Sequence, residues 1–155
     1  MKKQPFSLLG LSIPTLLLVF LMTTTTSCKK VEGCTDTSAS NYDSLAEEDD
    51  GSCTFQGEVV FWYTQSVSET LVDYGISSMD YYVGGVLEGS SASSVYYLLE
   101  PSCGDSGTIT VARDLGTSKT KQYVFKVEDR TDKEILWQGI VTFEANTCVT
   151  HQLQN

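Results

Sequence analysis

Histidine and basic side chains are scarce in this sequence, and the common catalytic motifs are missing. Its 155 residues contain one histidine, His151, and only ten lysines and arginines against twenty aspartates and glutamates. One histidine argues against a catalytic zinc site, which usually draws on several nitrogen and carboxylate ligands. The patterns G-x-S-x-G and H-E-x-x-H and the phosphate-binding loop do not occur in the sequence. The composition therefore predicts a protein without enzymatic activity.

One short stretch, Gly104-Asp105-Ser106-Gly107, has the residues found at the core of the nucleophile loop of serine proteases. In chymotrypsin-like enzymes the catalytic histidine precedes the serine, whereas His151 follows Ser106 in this chain. Thr108 also stands where the protease motif has a further glycine. We therefore interpret residues 104–107 as a β-turn and not as the site of a nucleophile.

The shortage of basic residues excludes a class of partner. Lys2 and Lys3 lie in a segment that we expect to be removed, which leaves eight basic and twenty acidic side chains and a net charge of −12. A surface with this charge repels DNA and RNA. It is compatible with binding of a hard cation such as Ca²⁺.

Long apolar runs are confined to the N-terminus. Lys2 and Lys3 are followed by an apolar stretch from Phe6 to Met22, which contains Pro14, and then by small polar residues up to Cys28. A basic, an apolar and a small-residue zone in this order predict a cleaved signal peptide. The apolar stretch of about 17 residues is short for a stable transmembrane helix.

The end of this segment, Thr25-Thr26-Ser27-Cys28, resembles the relaxed lipobox of Bacteroidetes-type lipoproteins, with Thr25 in place of the usual leucine. The resemblance implies that the chain is cut before Cys28 and that acyl chains on its thiol hold the protein to a membrane. Lys29 and Lys30 follow, with no aspartate that would signal retention at an inner membrane, so we expect an outer-membrane or cell-surface location. The alternative is an ordinary secretory signal peptide that leaves Cys28 as a spare thiol.

The cysteine count favours the lipid. The sequence has five cysteines, and an odd number leaves one thiol without a partner in an exported protein. If Cys28 carries lipid, four cysteines remain, and an oxidising compartment favours two disulfides between them. These four are Cys34, Cys53, Cys103 and Cys148.

An acidic segment lies between Cys34 and Cys53. Its 20 residues open with Cys34-Thr35-Asp36, after Gly33, and close with Asp49-Asp50-Gly51-Ser52-Cys53. So short a segment cannot bury a core alone, so a Cys34–Cys53 disulfide is expected, worth roughly 3 kcal/mol through loop entropy. The segment resembles a module of exported Bacteroidetes proteins with the order GCTD, A-x-N-Y, DDGSC. It resembles more loosely the acidic repeats of thrombospondin type 3.

The likeness to thrombospondin repeats brings calcium into consideration. Six carboxylates between the two cysteines have no lysine or arginine among them. Such a group either extends into water or coordinates a hard cation, for which Asp36, Asn41, Asp49 and Asp50 are the candidate ligands. The segment does not complete an EF-hand loop. The alternative is a solvated acidic cap in which Asp50-Gly51 forms a turn.

The rest of the chain contains short runs rich in β-branched and aromatic residues, separated by turn residues. Gly84-Gly85 predicts a hairpin between two of these runs, and no run predicts a helix of two turns or more. Seven or eight short strands with this spacing predict an all-β fold, an antiparallel β-sandwich. The predicted strands are residues 58–64, 79–83, 86–88, 95–99, 107–112, 122–128, 135–143 and 148–153.

Two motifs in this region are similar to a small β domain of exported Bacteroidetes proteins. The first is Pro101-Ser102-Cys103-Gly104 followed by Gly107-Thr108-Ile109-Thr110-Val111, and the second is Trp137-Gln138-Gly139-Ile140-Val141-Thr142 ahead of Cys148. The resemblance implies an Ig-like or prealbumin-like sandwich with a Cys103–Cys148 disulfide.

Aromatic residues often occur in adjacent pairs, and neighbours on a strand point to opposite faces. Some of them are therefore expected at the surface, where they could stack on sugar rings or contact another protein. The alternative is cross-strand packing within the sheets. The residues concerned are Trp62, Tyr63, Tyr81, Tyr82, Tyr96, Tyr97, Tyr123 and Trp137.

The sequence thus predicts four segments: a signal peptide (1–27), a lipidated tether (28–33), a Cys-bridged acidic module (34–54) and a β-sandwich domain (55–155). We expect a non-enzymatic, lipid-anchored envelope protein with an interaction or structural role. Its partners would be the membrane, through the lipid, and a protein or glycan at the cell surface. The alternatives are a carbohydrate-binding accessory lipoprotein and a calcium-stabilised adhesin-like module.

Overall fold

The computed structural model describes residues 29–154, so the predicted signal peptide and Cys28 lie outside the described residues. Within this range no helix is long and apolar enough to cross a membrane. Two very short strands belong to the acidic module, and seven further strands and one helix follow. In chain order the elements are β1 (Glu32–Gly33), β2 (Glu48–Asp49), β3 (Phe55–Trp62), α1 (Gln65–Asp73), β4 (Ser78–Val83), β5 (Val86–Ala92), β6 (Ile109–Gly116), β7 (Thr120–Asp129), β8 (Ile135–Glu144) and β9 (Cys148–Gln152).

Strands β3 to β9 form two sheets that share one core, which confirms the predicted all-β sandwich. One sheet has the order β6-β3-β9 and the other the order β5-β4-β7-β8. Every pairing in the sandwich is antiparallel except that of β3 with β9, which run parallel with Val59 beside Val149. A parallel pair needs a long connection, and here the entire second sheet lies between the two strands in sequence.

The core follows from alternation along the strands. Successive side chains on a strand point to opposite faces, so every second residue can be apolar and face the other sheet. On β3 these residues include Val59 and Phe61, and on β4 they include Met79 and Tyr81. The other strands contribute buried side chains in the same way, namely Val111 and Leu115 on β6, Phe125 and Val127 on β7, and Val141 and Phe143 on β8.

The central strand β3 is also buried on its outer face. Val60 points away from the second sheet, yet none of it is exposed. The segment that follows β5 crosses this face: Glu100 bonds to Thr150 of β9, and the backbone N–H of Gly104 donates to Thr110 of β6. The disulfide between Cys103 and Cys148 holds the segment there.

This covering segment corrects one predicted strand. Residues 95–99 were expected to form a strand because Val95-Tyr96-Tyr97-Leu98-Leu99 is rich in β-forming residues, but they have no strand structure. Tyr97 donates its backbone N–H to the carbonyl of Tyr63 just beyond β3. Leu98 and Leu99 are exposed, and the buried Pro101 follows soon after them. Proline cannot donate to a strand ladder, which helps to explain why pairing stops here.

Helix α1 corrects the expectation that no helix of two turns or more occurs. Its nine residues bury Val67 and Leu71, which lie one turn apart on the face toward the core. Ser68 is buried with them, and its hydroxyl donates to the carbonyl of Ser93. The helix ends at Asp73, Gly75 follows the C-cap residue Tyr74 with φ of 80°, and Ile76 donates its N–H to the carbonyl of Leu71. This is the glycine-terminated Schellman arrangement.

The predicted hairpin is confirmed. Strands β4 and β5 are joined by Gly84 and Gly85, with φ of 61° and 81°. Two successive positive φ angles define the tight turn that best matches the twist of paired strands, and glycine adopts them without steric cost.

The acidic module is closed by the second disulfide, between Cys34 and Cys53. Strands β1 and β2 form a parallel pair. Ala39 and Cys53 pack against the core of the sandwich, and Asp36 forms an ion pair with Lys119 at 2.5 Å. The module therefore contacts the sandwich through packing and charge as well as through the chain itself.

We predict that the two disulfides stabilise different parts of the protein. Replacing Cys103 and Cys148 by serine should lower the free energy of unfolding of the sandwich by about 4 kcal/mol, because this bond closes a loop of 45 residues and secures the segment over Val60. Replacing Cys34 and Cys53 should leave the sandwich transition nearly unchanged. Urea unfolding followed by tryptophan fluorescence measures both. Equal losses in the two double variants would contradict this division.

Candidate functional site

The candidate calcium ligands are each engaged in local hydrogen bonds. Asp36 accepts the backbone N–H and the hydroxyl of Ser38, and with Lys119 these donors lower the pKa of Asp36 to about 2. The other three also bond to backbone groups close by. Asn41 donates to the carbonyl of Ser52 and accepts the N–H of Thr54. Asp49 accepts the N–H of Gly51, and Asp50 accepts the N–H of Ser52.

These bonds organise the turns of the module and do not assemble a common ligand shell. Asp43 behaves similarly, since it accepts the backbone N–H of Leu45. In residues 29–154, no three histidine, cysteine, aspartate or glutamate side chains converge as a group that could hold a metal ion. Asp36 lies on the side of the sandwich and is paired with Lys119, whereas Asp49 belongs to β2. Asp36, Asp49 and Asp50 therefore do not belong to a group of three converging carboxylates, and Asn41 bonds to backbone groups of Ser52 and Thr54.

A cleft of about 270 Å³ lies between the acidic module and the sandwich. Sequence reasoning missed it because it forms only where the module contacts strand β3 and the turn between β8 and β9. Glu58 is its one charged residue, and the polar side chains on its walls are hydroxyls and amides. These polar lining residues are Ser38, Ser40, Gln56, Asn146 and Thr147.

A network of charges occupies the outer face of the four-stranded sheet, and sequence reasoning missed it too. Asp80 and Glu128 are neighbours on β4 and β7, and both side chains are almost fully covered. Lys133 contacts Asp80 at 2.9 Å and Glu128 at 3.8 Å, while Lys126 contacts Glu128 at 2.5 Å. The only hint in the sequence was alternation of charged with apolar residues along β7.

The partners of these carboxylates hold them in the charged form. Hydrogen bonds from Ser90 and from Lys133 lower the pKa of Asp80, and the hydrogen bond from Lys126 lowers that of Glu128. The hydrogen bond to Asp80 raises the pKa of Lys133 in turn. A general acid or base needs a pKa near the working pH. The lowered pKa of the carboxylates and the raised pKa of Lys133 lie further from neutral pH than the ordinary values. The network is therefore suited to structural pairing across the sheet.

The aromatic residues do not form a single exposed face. Of the adjacent pairs, Tyr81 is buried in the core while Tyr82 lies outside it, 4.5 Å from the ammonium of Lys126. Tyr63 is buried and stacks on Trp137 at 6.5 Å between ring centres. Among the aromatics named from the sequence, Tyr96 alone exposes a large part of its surface, so most of these rings serve packing.

His151 is half-buried and packs against two aromatic core residues. Its ring contacts those of Phe125, at 4.6 Å, and Phe61, at 5.4 Å, and both contacts are edge-to-face. Ser106 lies elsewhere, in an exposed turn closed by the N–H of Thr108 and the carbonyl of Asp105. The structure thus packs the histidine against the aromatic core and places Ser106 in a surface turn.

Comparisons with protein-family models, with characterised proteins and with solved structures find no match to this chain.

Burial of His151 predicts a specific dependence of stability on pH. Desolvation lowers its pKa below the ordinary value of 6.5, so the unfolded chain takes up a proton before the folded one as the pH falls. The stability that neutral His151 contributes to the folded state is fully present above about pH 6.5, and it is lost as the pH falls through the pKa of the folded state. His151→Phe keeps the aromatic ring and should remove this component. Urea unfolding at about pH 7.5 and about pH 5.5 measures it, and equal pH dependence in both proteins would refute the assignment.

Proposed function

We propose that the protein is a lipid-anchored, non-enzymatic component of the cell envelope, with Cys28 as its anchor and an outer-membrane or cell-surface location. The observation that supports this most is the pairing of the other cysteines. Cys34 bonds to Cys53, and Cys103 bonds to Cys148. Both bonds join cysteines of the described residues, so the printed sequence offers no further cysteine with which Cys28 could pair.

Acylation of Cys28 accounts for the odd number of cysteines, because the lipid is bonded to the one thiol that has no disulfide partner. Two acyl chains give stable membrane attachment, whereas a single chain binds only marginally. The two disulfides also fit an oxidising compartment outside the cytoplasm, which is where the signal peptide would deliver the chain.

The interaction or structural role is supported by how the titratable groups are used. Asp80 and Glu128 are held charged by lysines, and the ring of His151 is packed among aromatics. These groups stabilise the sandwich, which makes them unsuited to act as acids, bases or nucleophiles. A protein of this kind acts by presenting a rigid surface at the membrane.

The calcium-stabilised and carbohydrate-binding alternatives receive less support. The carboxylates of Asp36, Asp49 and Asp50 each accept a backbone N–H of a local turn, so these three have partners without a cation. The aromatic rings are largely used in packing, so a broad stacking platform for sugars is not formed by them.

Metabolic labelling with an alkyne-tagged fatty acid tests the anchor. The full-length chain should incorporate the label and partition into a detergent phase, and Cys28→Ser should lose the label completely. The double variant Cys34→Ser/Cys53→Ser is the matched control, because it also removes cysteines near the N-terminus but should keep the label. An unlabelled wild-type chain, or equal labelling of Cys28→Ser, would overturn the proposal in favour of an ordinary secreted protein.

A further inference from the structure

Two apolar side chains are exposed near the start of the described chain, one on the predicted tether and one in the acidic module. Val31 is 47% exposed and Leu45 is 75% exposed. Their backbones lie near each other, because the carbonyl of Val31 accepts the backbone N–H groups of Glu47 at 2.7 Å and Glu48 at 3.3 Å, just after Leu45. An apolar pair of this kind gains free energy wherever it can leave water.

The covalent chain limits where this end can go. Val31 is three positions after Cys28, and an extended chain spans at most about 3.6 Å per position, or roughly 11 Å in total. Acyl chains on Cys28 would place its backbone at the headgroup level of the bilayer. Val31, and Leu45 beside it, therefore stay within reach of the headgroup region as long as the anchor is inserted.

Other residues of the module contact the sandwich. Ala39 and Cys53 pack against the sandwich core, and Asp36 is paired with Lys119. A disulfide between Cys34 and Cys53 braces the module that carries these contacts. Contact of the apolar pair with a membrane would therefore also fix the sandwich relative to the bilayer.

We propose that Val31 and Leu45 insert into the headgroup region of the bilayer that holds the anchor, so that the module stands on the membrane and sets the direction of the sandwich. This proposal rests on acylation of Cys28. Once the anchor is inserted, contact of the apolar pair with the bilayer is an intramolecular event with a high effective concentration. A bilayer is therefore a better occupant for this surface than a freely diffusing protein.

The charges around the pair predict which lipids it accepts. Lys29 and Lys30 flank it on the tether, but Lys30 is paired with Glu48 at 3.4 Å, and Glu32 and Glu47 lie nearby. These carboxylates are repelled by anionic headgroups. Insertion is therefore expected to be deeper in zwitterionic than in anionic membranes, and this difference should shrink when salt screens the charges.

Tryptophan quenching by brominated lipids tests the contact directly. The acylated chain carrying Leu45→Trp is reconstituted into phosphatidylcholine vesicles whose acyl chains are brominated near the headgroup. The parent already contains Trp62 and Trp137, so its fluorescence is subtracted from that of each variant. The remaining emission of the new tryptophan in Leu45→Trp should shift to the blue. It should also be quenched severalfold more than the emission of the new tryptophan in Tyr74→Trp. Tyr74 is the matched control because it is a highly exposed side chain that follows α1 in the sandwich. Replacing a quarter of the lipid with phosphatidylglycerol should weaken the quenching at low salt.

The outcomes separate the contact from the anchor. Vesicle flotation and the mass of the N-terminal peptide report acylation independently of any tryptophan. If the chain floats and is acylated but Leu45→Trp is quenched no more than Tyr74→Trp, the membrane contact is refuted while the anchor stands. If the chain neither floats nor carries acyl chains, the proposed function itself fails and the contact fails with it.

Discussion

The fold depends on one constraint, which is that strand β3 is buried on both of its faces. Val59 and Phe61 face the second sheet, and Val60 faces the other way with no exposed surface. A three-stranded sheet in water normally leaves one face solvated. Here the segment after β5 covers that face, with Cys103 bonded to Cys148 at the start of β9. This burial depends on the long connection between β5 and β6, and also on the parallel pairing of β9 with β3.

Local patterns in the sequence predicted those features that depend on neighbouring residues. Alternation predicted most of the strands, and Gly84-Gly85 predicted the hairpin because only a tight turn with positive φ angles requires two glycines there. Helix α1 was missed because its serines, threonines and valines have modest helix propensity. Its one clear sequence signal was Gly75, which adopts a positive φ just after the helix and is the residue type that commonly follows a helix C-terminus. The strand expected at residues 95–99 failed because β-forming composition does not supply a partner edge.

The candidate sites likewise depend partly on neighbouring residues and partly on residues far apart in the sequence. Carboxylate spacing in the module is identical for a cation site and for a series of aspartate-capped turns, and only the hydrogen bonds of Asp36, Asp49 and Asp50 distinguish the two. The pairing of Asp80 with Lys133 joins residues more than fifty positions apart, so no local pattern could have predicted it. The cleft beside Glu58 likewise exists only because the module contacts the sandwich.

These features give each part of the described chain a mechanical role. The module is braced by its disulfide and contacts the sandwich through Asp36, and the sandwich is held rigid by a core covered on both sides of β3. The charges of the outer sheet are neutralised in pairs, which favours stability over reactivity. If Cys28 carries the proposed lipid, a body of this kind transmits the position of that anchor to whatever surface it presents. The proposed function therefore depends on Cys28.

The mass of the N-terminal peptide from the mature protein tests that dependence most directly. The account predicts a chain that begins at Cys28 and carries the mass of a diacylglyceryl group on its sulfur. A mature chain that begins at another residue, or one in which Cys28 is present without lipid, would contradict it.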